Sequence, residues 1–179
     1  IVYPAFPSDA KGLLAASIED PNPVMYFEHK ALYRSINEEI HDDYYTVEIG
    51  KAKLVKEGSD LSIVTYGLGV HWALEALAKY PDINADVIDL RTLLPWDEEA
   101  VLASVKKTGK VIVMHEDTQT GGIGGEITAR IAEKCFPYLD APPVRIGALD
   151  TPVPMSAVLE QNFLPKERFF TALRTLADF

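Results

Sequence analysis

The residues with the most chemical potential in this chain are four glycines, Gly121, Gly122, Gly124 and Gly125, which follow the apolar run Val111-Ile112-Val113-Met114 and the polar trio His115-Glu116-Asp117. Beyond them Ile127 and Ile131 stand at helical spacing, with Ala132 beside Ile131, and form an apolar stripe. A strand, a glycine turn and a helix in succession can cradle a phosphate, because the first amides of a helix lack intrahelical acceptors. The spacing here argues against that use. A dinucleotide fingerprint begun at Gly122 would need its third glycine at Ile127, and a P-loop would close on Lys and Ser or Thr where Glu126 stands. Glu126 would also set a negative charge beside the phosphate. The glycines therefore read as positions of close packing, of helix on strand or of subunit on subunit, with Gly125 as a close backbone contact or helix start.

Other reactive side chains are scattered. His29, His41, His71 and His115 lack the spacing that puts two metal ligands on one helical face, so each reads as structural or solvated. Cys135 is the single cysteine, on the apolar side of its helix, which excludes an internal disulfide or a cysteine metal cluster and fits a reducing compartment. No G-x-S-x-G elbow, H-E-x-x-H or paired-cysteine motif occurs. The net charge of -10 argues against nucleic acid and against an anionic membrane as partners, and favours a basic protein surface. No apolar run approaches the roughly 18 residues of a membrane span.

The elements that must position these groups follow in order. Ser8 as N-cap and Asp9 as first-turn acid predict a helix with Ala10, Leu13, Leu14, Ser17 and Ile18 on one face, ending near Asp20 before Pro21 and Pro23. Val24 to Phe27 reads as a strand, and the acidic stretch from Lys30 to Tyr45 as an exposed linker. Ile1 and Val2 continue an apolar run already under way, so the sequence reads as the later part of a longer chain. Strands are expected at Leu54-Val55, Leu61 to Tyr66, Asp86 to Leu90, Val111 to Met114 and Val144 to Ile146. Helices are expected after Gly67 and Gly69 with Val70, Ala73, Leu74 and Leu77 inward, between the Asp97 cap and Gly109, after Gly125, and from Lys166 to Ala177. Strands alternating with helices give an α/β layer fold with right-handed crossovers.

Five motifs carry a resemblance that reaches over nearly the whole chain: A-K-G-L-L at 10–14, I-E-D-P-N-P at 18–23, F-E-H-K-A-L-Y-R at 27–34, V-I-D-L-R-T-L-L-P-W-D at 87–97 and D-A-P-P-V-R-I at 140–146. They resemble the beta subunit of the thiamin diphosphate-dependent 2-oxo acid dehydrogenase component. L-Y-R, D-L-R-T-x-x-P-W-D, and His115-Glu116 with Thr120-Gly121-Gly122 lean towards the branched-chain member of that family, with the pyruvate and acetoin members, which share most of the pattern, as the alternative. The resemblance implies a transketolase C-terminal-domain-like three-layer α/β sheet over residues 46–179, preceded in 1–45 by the tail of a pyrimidine-binding α/β domain and its linker. It also implies an assembly with an alpha subunit and a second beta subunit, and acyl transfer to a lipoyl acyltransferase, in a bacterial cytoplasm or a mitochondrial matrix.

In that family the cofactor-activating glutamate and the active-site histidine lie upstream of the position of Ile1, and the diphosphate and its magnesium sit on the alpha subunit. The resemblance therefore implies scaffold, interface and partner docking for this segment, with no catalytic residue in it. It carries over one ion site: potassium held largely by main-chain oxygens at Ser17, Ile18, Asp20 and Asn22. Helix-end carbonyls suit such an ion, since they lack intrahelical donors and carry the negative end of the dipole. Docking of a small basic acyltransferase domain is expected near Asp140 and the Phe179 carboxylate. Two other readings compete on the residues alone: a non-catalytic interaction domain for a basic partner, and a nucleotide-binding domain.

Overall fold

The computed structural model describes residues 1–179. Helix α1 (Pro7–Glu19) and the short α2 (Leu32–Ser35) precede a unit made of β1 (Lys53–Lys56), β2 (Leu61–Thr65), α3 (Leu68–Lys79), β3 (Ala85–Asp89), α4 (Glu98–Thr108), β4 (Val111–Thr118), α5 (Gly124–Cys135), β5 (Val144–Ala148), α6 (Ala157–Phe163) and α7 (Lys166–Ala177). The strands lie in the order β1-β3-β2-β4-β5. All neighbouring pairs are parallel except β1 with β3. Crossover α3 leads from β2 to one side, while α4 and α5 lead to the other side. With one handedness of crossover, that reversal puts α3 on one face and α4 and α5 on the opposite face.

Alternation along the strands divides the core accordingly. Leu61, Ile63, Ala85, Val87, Ile112 and Met114 face α3 and α7, where Trp72, Ala73, Phe169 and Leu173 complete a cluster. Val64, Ile88, Leu90, Val111 and Val113 face α4 and α5, against Val101, Val105, Ile127, Ile131 and Cys135. The expected three-layer sheet is present. Its helix α4 also matches the expected bounds, because its signals are local: the Asp97 carboxylate accepts the Ala100 amide at 3.2 Å and Gly109 closes the helix at φ 71°. Helix α7 matches as well, burying Phe169, Phe170, Leu173 and Leu176.

One polar network lies on the α4 face. Asp86, 1% exposed, accepts the Gly58 amide at 2.8 Å, the Ser104 hydroxyl at 2.6 Å and the Lys107 ammonium at 2.8 Å. Ser62 shares its hydroxyl with Ser104 at 2.6 Å and Thr108 at 2.8 Å. Every hydroxyl in it has a partner, which is what allows a carboxylate to stand inside the layer.

The first third of the chain departs from expectation in three ways. Helix α1 starts at Pro7, with Phe6 as N-cap, because proline's fixed φ and missing N–H suit a first helical position. Ser8 lies inside the helix and gives its amide to Glu38 at 2.8 Å. The buried face of α1 is Asp9, Gly12 and Leu13, while Leu14 is 46% and Ile18 76% exposed. Gly12 selects that face, since a Cβ there would strike the Tyr45 ring at 2.8 Å. Val24 to Phe27 forms only an isolated bridge, Val2 to Tyr26. Two further additions are α6, which carries no signal beyond the single buried Phe163, and the extension of β4 to Thr118.

Candidate functional site

In an open doubly wound sheet the crevice for ligands opens where the strand order reverses, outside the carboxyl ends of the strands. Here that point lies between β2 and β4, above Gly67 and Glu116. It is covered by the chain's own N-terminal segment. The Tyr3 ring stands where a Gly67 side chain would be, with 3.0 Å between its edge and an added Cβ, and it meets Tyr66 at 5.4 Å and Phe27 at 6.2 Å between ring centroids. Val2 is fully buried and bridges to Tyr26 and to Thr92. His29 Nε2 reaches Glu116 Oε1 at 3.1 Å across the mouth. The usual ligand position is therefore a contact between residues 1–29 and the sheet.

Contact with Glu116 holds the His29 pKa above its ordinary value, against burial, which pulls it down. A histidine whose pKa rises on folding contributes stability that is fully present below its unfolded value of about 6.5 and is lost as pH rises through the folded value. Glu116→Gln is expected to move the His29 titration down, read from its imidazole proton shifts. An unchanged titration would mean that the pair carries no charge interaction.

The glycine turn shows why it is glycine-rich. His115, 1% exposed, lies in a cradle formed by Gly122, Gly124 and Gly147. A Cβ on Gly124 would be 2.5 Å from its Nε2, and one on Gly147 3.0 Å from its Cε1. Nδ1 donates to the Asp117 carbonyl at 3.1 Å, Nε2 has no partner, and burial holds the pKa below the ordinary histidine value. The imidazole fills the space that Cβ atoms at Gly122, Gly124 and Gly147 would need, which favours the packing reading of these glycines. The tight positions are Gly122 and Gly124. At Gly125 an added Cβ meets only the mobile tip of Arg145, at 2.9 Å.

A second buried group was not legible as such. Asp9 reads as a surface acid in a first helical turn, yet it is 2% exposed and pairs with Arg91 and, at 3.1 Å, with Lys53. Asp89 is fully buried beside them; its Oδ1 accepts the Arg91 amide at 3.0 Å and its Oδ2 has no partner. Burial first, and the Asp9 charge as well, push the Asp89 pKa up to about 7 against the pull of Arg91 and Lys53. The only sequence signal was the mixed charge of D-L-R-T at 89–92.

The residues expected to hold an ion lie together at the end of α1. Ser17 donates its hydroxyl to the Leu13 carbonyl at 2.6 Å, and the Asp20 carboxylate accepts the Asn22 amide at 2.8 Å and its side-chain nitrogen at 3.0 Å. These two bonds hold the Asp20 pKa below the usual carboxylate range. Both bonds fall on Asp20 Oδ1 and tie that carboxylate into its own turn. Asp140 is exposed and gives its amide to the Gly109 carbonyl at 2.8 Å, just before β4 begins. Phe179 is 73% exposed beyond α7, whose Arg174 pairs with Asp82 ahead of β3. Both thus lie at the rim from which the parallel strands start, opposite the covered crevice. No helix of the chain is long and apolar enough to cross a membrane.

Residues 50–168 match the family model described as transketolase, C-terminal domain. The chain is 44% identical to the 2-oxoisovalerate dehydrogenase subunit beta of Bacillus subtilis, over 100% of this chain and 56% of the relative. It is 43% identical to the pyruvate dehydrogenase E1 component subunit beta of the same organism, over 94% of this chain and 52% of the relative. Among solved structures, a split gene transketolase described as an inactive beta4 tetramer aligns with TM-score 0.76 and 27% identity, over 99% of this chain and 56% of that one. The chain thus spans about half the length of the curated relatives it matches.

Proposed function

Because the chain belongs to the transketolase C-terminal-domain family, and its relatives at over 40% identity are beta subunits of 2-oxo acid dehydrogenases, we propose that it is the scaffold and interface part of such a subunit. The observation that carries this reading is the covered crevice: the fold's usual ligand position is filled by Tyr3, Phe27 and His29, which leaves the segment to pack against other protein. Thiamin diphosphate, bound elsewhere in the parent assembly, would supply the electron sink for decarboxylation of a 2-oxo acid, and the acyl product would go to the lipoyl acyltransferase. The residues that activate the cofactor belong to other parts of the assembly. The relatives are bacterial and mitochondrial, which supports a cytoplasmic or matrix location.

Within that class we assign the branched-chain substrate, on the D-L-R-T-x-x-P-W-D motif and His115-Glu116 with Thr120-Gly121-Gly122. Overall identity weighs the alternatives equally, at 44% for the 2-oxoisovalerate, 43% for the pyruvate and 45% for the acetoin relative of Bacillus subtilis. Two interfaces complete the proposal. Leu149, Val153, Met155, Val158 and Leu159 are exposed on and before α6, an apolar surface suited to an alpha subunit or a second beta subunit. Asp140 supplies negative charge for a basic acyltransferase domain, with Phe179 exposed at the same rim, and such complementarity speeds encounter more than it adds affinity. Potassium would be held by main-chain oxygens of Ser17, Ile18, Asp20 and Asn22, tying down the end of α1.

The test is carbon dioxide release with thiamin diphosphate and magnesium. This chain alone is expected to release none from 2-oxoisovalerate or pyruvate, and the assembled enzyme is expected to prefer 2-oxoisovalerate in kcat/KM. Turnover by the chain alone would overturn the assignment of catalysis to other regions, and a preference for pyruvate would overturn the branched-chain assignment. In the same assembly, Asp140→Asn and deletion of Phe179 are expected to slow acyltransferase binding at low salt.

A further inference from the structure

We infer that Asp9, Lys53, Asp89 and Arg91 form a proton-binding joint between helix α1 and the sheet, in which docking of α1 loads a proton from solvent onto Asp89. The joint unites parts far apart in sequence: Asp9 from α1, Lys53 from the edge strand β1, Asp89 from the end of β3 and Arg91 from the turn after it. Lys53 and Asp89 are partners in the β1–β3 register, so their side chains share the face against which α1 lies. Thr65 of β2 is the register partner of Asp89 on the other side.

The geometry allots the cations unequally. Both reach Asp9, Lys53 at 3.1 Å and Arg91 through its terminal nitrogen, while neither makes a side-chain bond to Asp89. Three polar atoms in this one place are buried without a partner: Asp89 Oδ2, Thr65 Oγ1 and Arg91 Nε. A carboxylate oxygen stranded in that way, with no donor, is costly as an anion and much less so as the neutral acid. The remaining titratable group on this side, His71 of α3, is turned to the Ala5 carbonyl at 2.8 Å, with the Phe6 ring against it. Lys53 lies over the opposite part of that ring, 4.8 Å from its centroid. No other charge of α1, α3, β1 or β2 acts on Asp89.

Docking of α1 therefore does three things to Asp89. It removes water, it brings the Asp9 charge close, and it draws Arg91 and Lys53 away to Asp9. Each favours the acid form. When α1 lifts, Asp89 regains water and both cations and returns to a carboxylate. Arg91, the only non-glycine residue with positive φ, at 58°, keeps a strained backbone where its guanidinium meets Asp9.

The sign follows directly. A carboxyl whose pKa is raised by docking contributes to docking at low pH and stops contributing as pH rises through the docked value. With a docked value of about 7 against an ordinary value of 3.8, the docking constant falls by roughly thirtyfold between pH 5.5 and pH 8. This is read as hydrogen exchange of the α1 amides in the intact chain, corrected for intrinsic rates. Asp89→Asn is expected to abolish the pH dependence and to hold α1 closed at pH 8. Asp9→Asn is expected to shift the Asp89 titration down by at least one unit, because both cations then turn to Asp89. The infrared carbonyl band of a neutral carboxyl, present at pH 6 in the unmodified chain and missing in Asp89→Asn, gives a readout that needs no opening. Equal α1 exchange at both pH values, an undiminished pH dependence in Asp89→Asn, or no neutral-carboxyl band at pH 6 would each overturn the proposal.

Discussion

Asp86→Ala is expected to destabilise the fold by about 2–5 kcal/mol, since it leaves the Gly58 amide and the Ser104 hydroxyl without their acceptor, at about 1–3 kcal/mol for each buried group. The loss has identifiable parts. The Gly58 amide at 2.8 Å has no other acceptor and is held against the β3 backbone, since even a Cβ on Gly58 would be 2.5 Å from the Ala85 nitrogen. Ser104 loses the acceptor at 2.6 Å that orders its hydroxyl, and with it the sense of the chain through Ser62 and Thr108. Lys107 loses a partner but is 42% exposed and turns to water, so its share is small. Lys107→Met leaves the buried Asp86 with two of its three donors and is expected to cost about 1–3 kcal/mol, less than Asp86→Ala. Urea unfolding of the two variants, read as a change in midpoint at constant slope, separates the contributions. A larger loss for Lys107→Met than for Asp86→Ala would show that the ion pair, and not the hydroxyl and amide bonds, holds the site.

Gly122→Ala is expected to cost about 3 kcal/mol, the upper part of the range for overpacking a filled interior. The added methyl meets the Thr118 carbonyl oxygen at 2.6 Å and the His115 Cε1 more closely still. The ring has nowhere to retreat, because Gly124 and Gly147 close on it from other directions. Two neighbouring glycines calibrate the result. Gly125→Ala meets only the Arg145 guanidinium tip and is expected to cost under 1 kcal/mol. Gly121 stands in open space at φ 85°, so Gly121→Ala is expected to cost about 1 kcal/mol through backbone conformation alone. A thermal melt series that ranks Gly122 last of the three would remove the cradle as the reason for the glycine cluster. Coupling with His115→Ala gives a second check, since removal of the ring should recover most of the Gly122→Ala loss.

These two expectations rest on residues that the sequence exposes to different degrees. The bounds of α4 were legible because Asp97 and Gly109 act within one turn of the helix they close. The strands β2, β3 and β4 were legible as apolar runs because both faces are covered. The buried face of α1 was not, since Leu14 and Ile18 satisfy helical spacing as well as Leu13 does, and the choice is made by Tyr45 and Val47, more than 30 residues away. Asp9 was misread for the same reason: its partners are 44 and 82 positions distant, and no local pattern marks a carboxylate that will be enclosed. Helix α6 escaped because a single buried side chain leaves no period to detect. Family resemblance, carried by the five motifs, supplied the domain type, which periodicity and charge by themselves do not encode.

The antiparallel strand β1 has a consequence for what the sheet can do outside the folded molecule. A parallel sheet that ended at β3 would present a straight row of amides and carbonyls, a template on which another chain could add. Instead the edge is a strand of four residues whose pairing slips between Leu54 and Lys56, with Lys53 and Lys56 at its two ends and Lys51 just before it. The slip bends the free edge, and an incoming strand would have to lie against the Lys56 ammonium and the neighbouring Lys51. The sheet is thereby closed to fibre-like growth at that side, and copies that crowd together at high concentration are steered away from edge-to-edge aggregation.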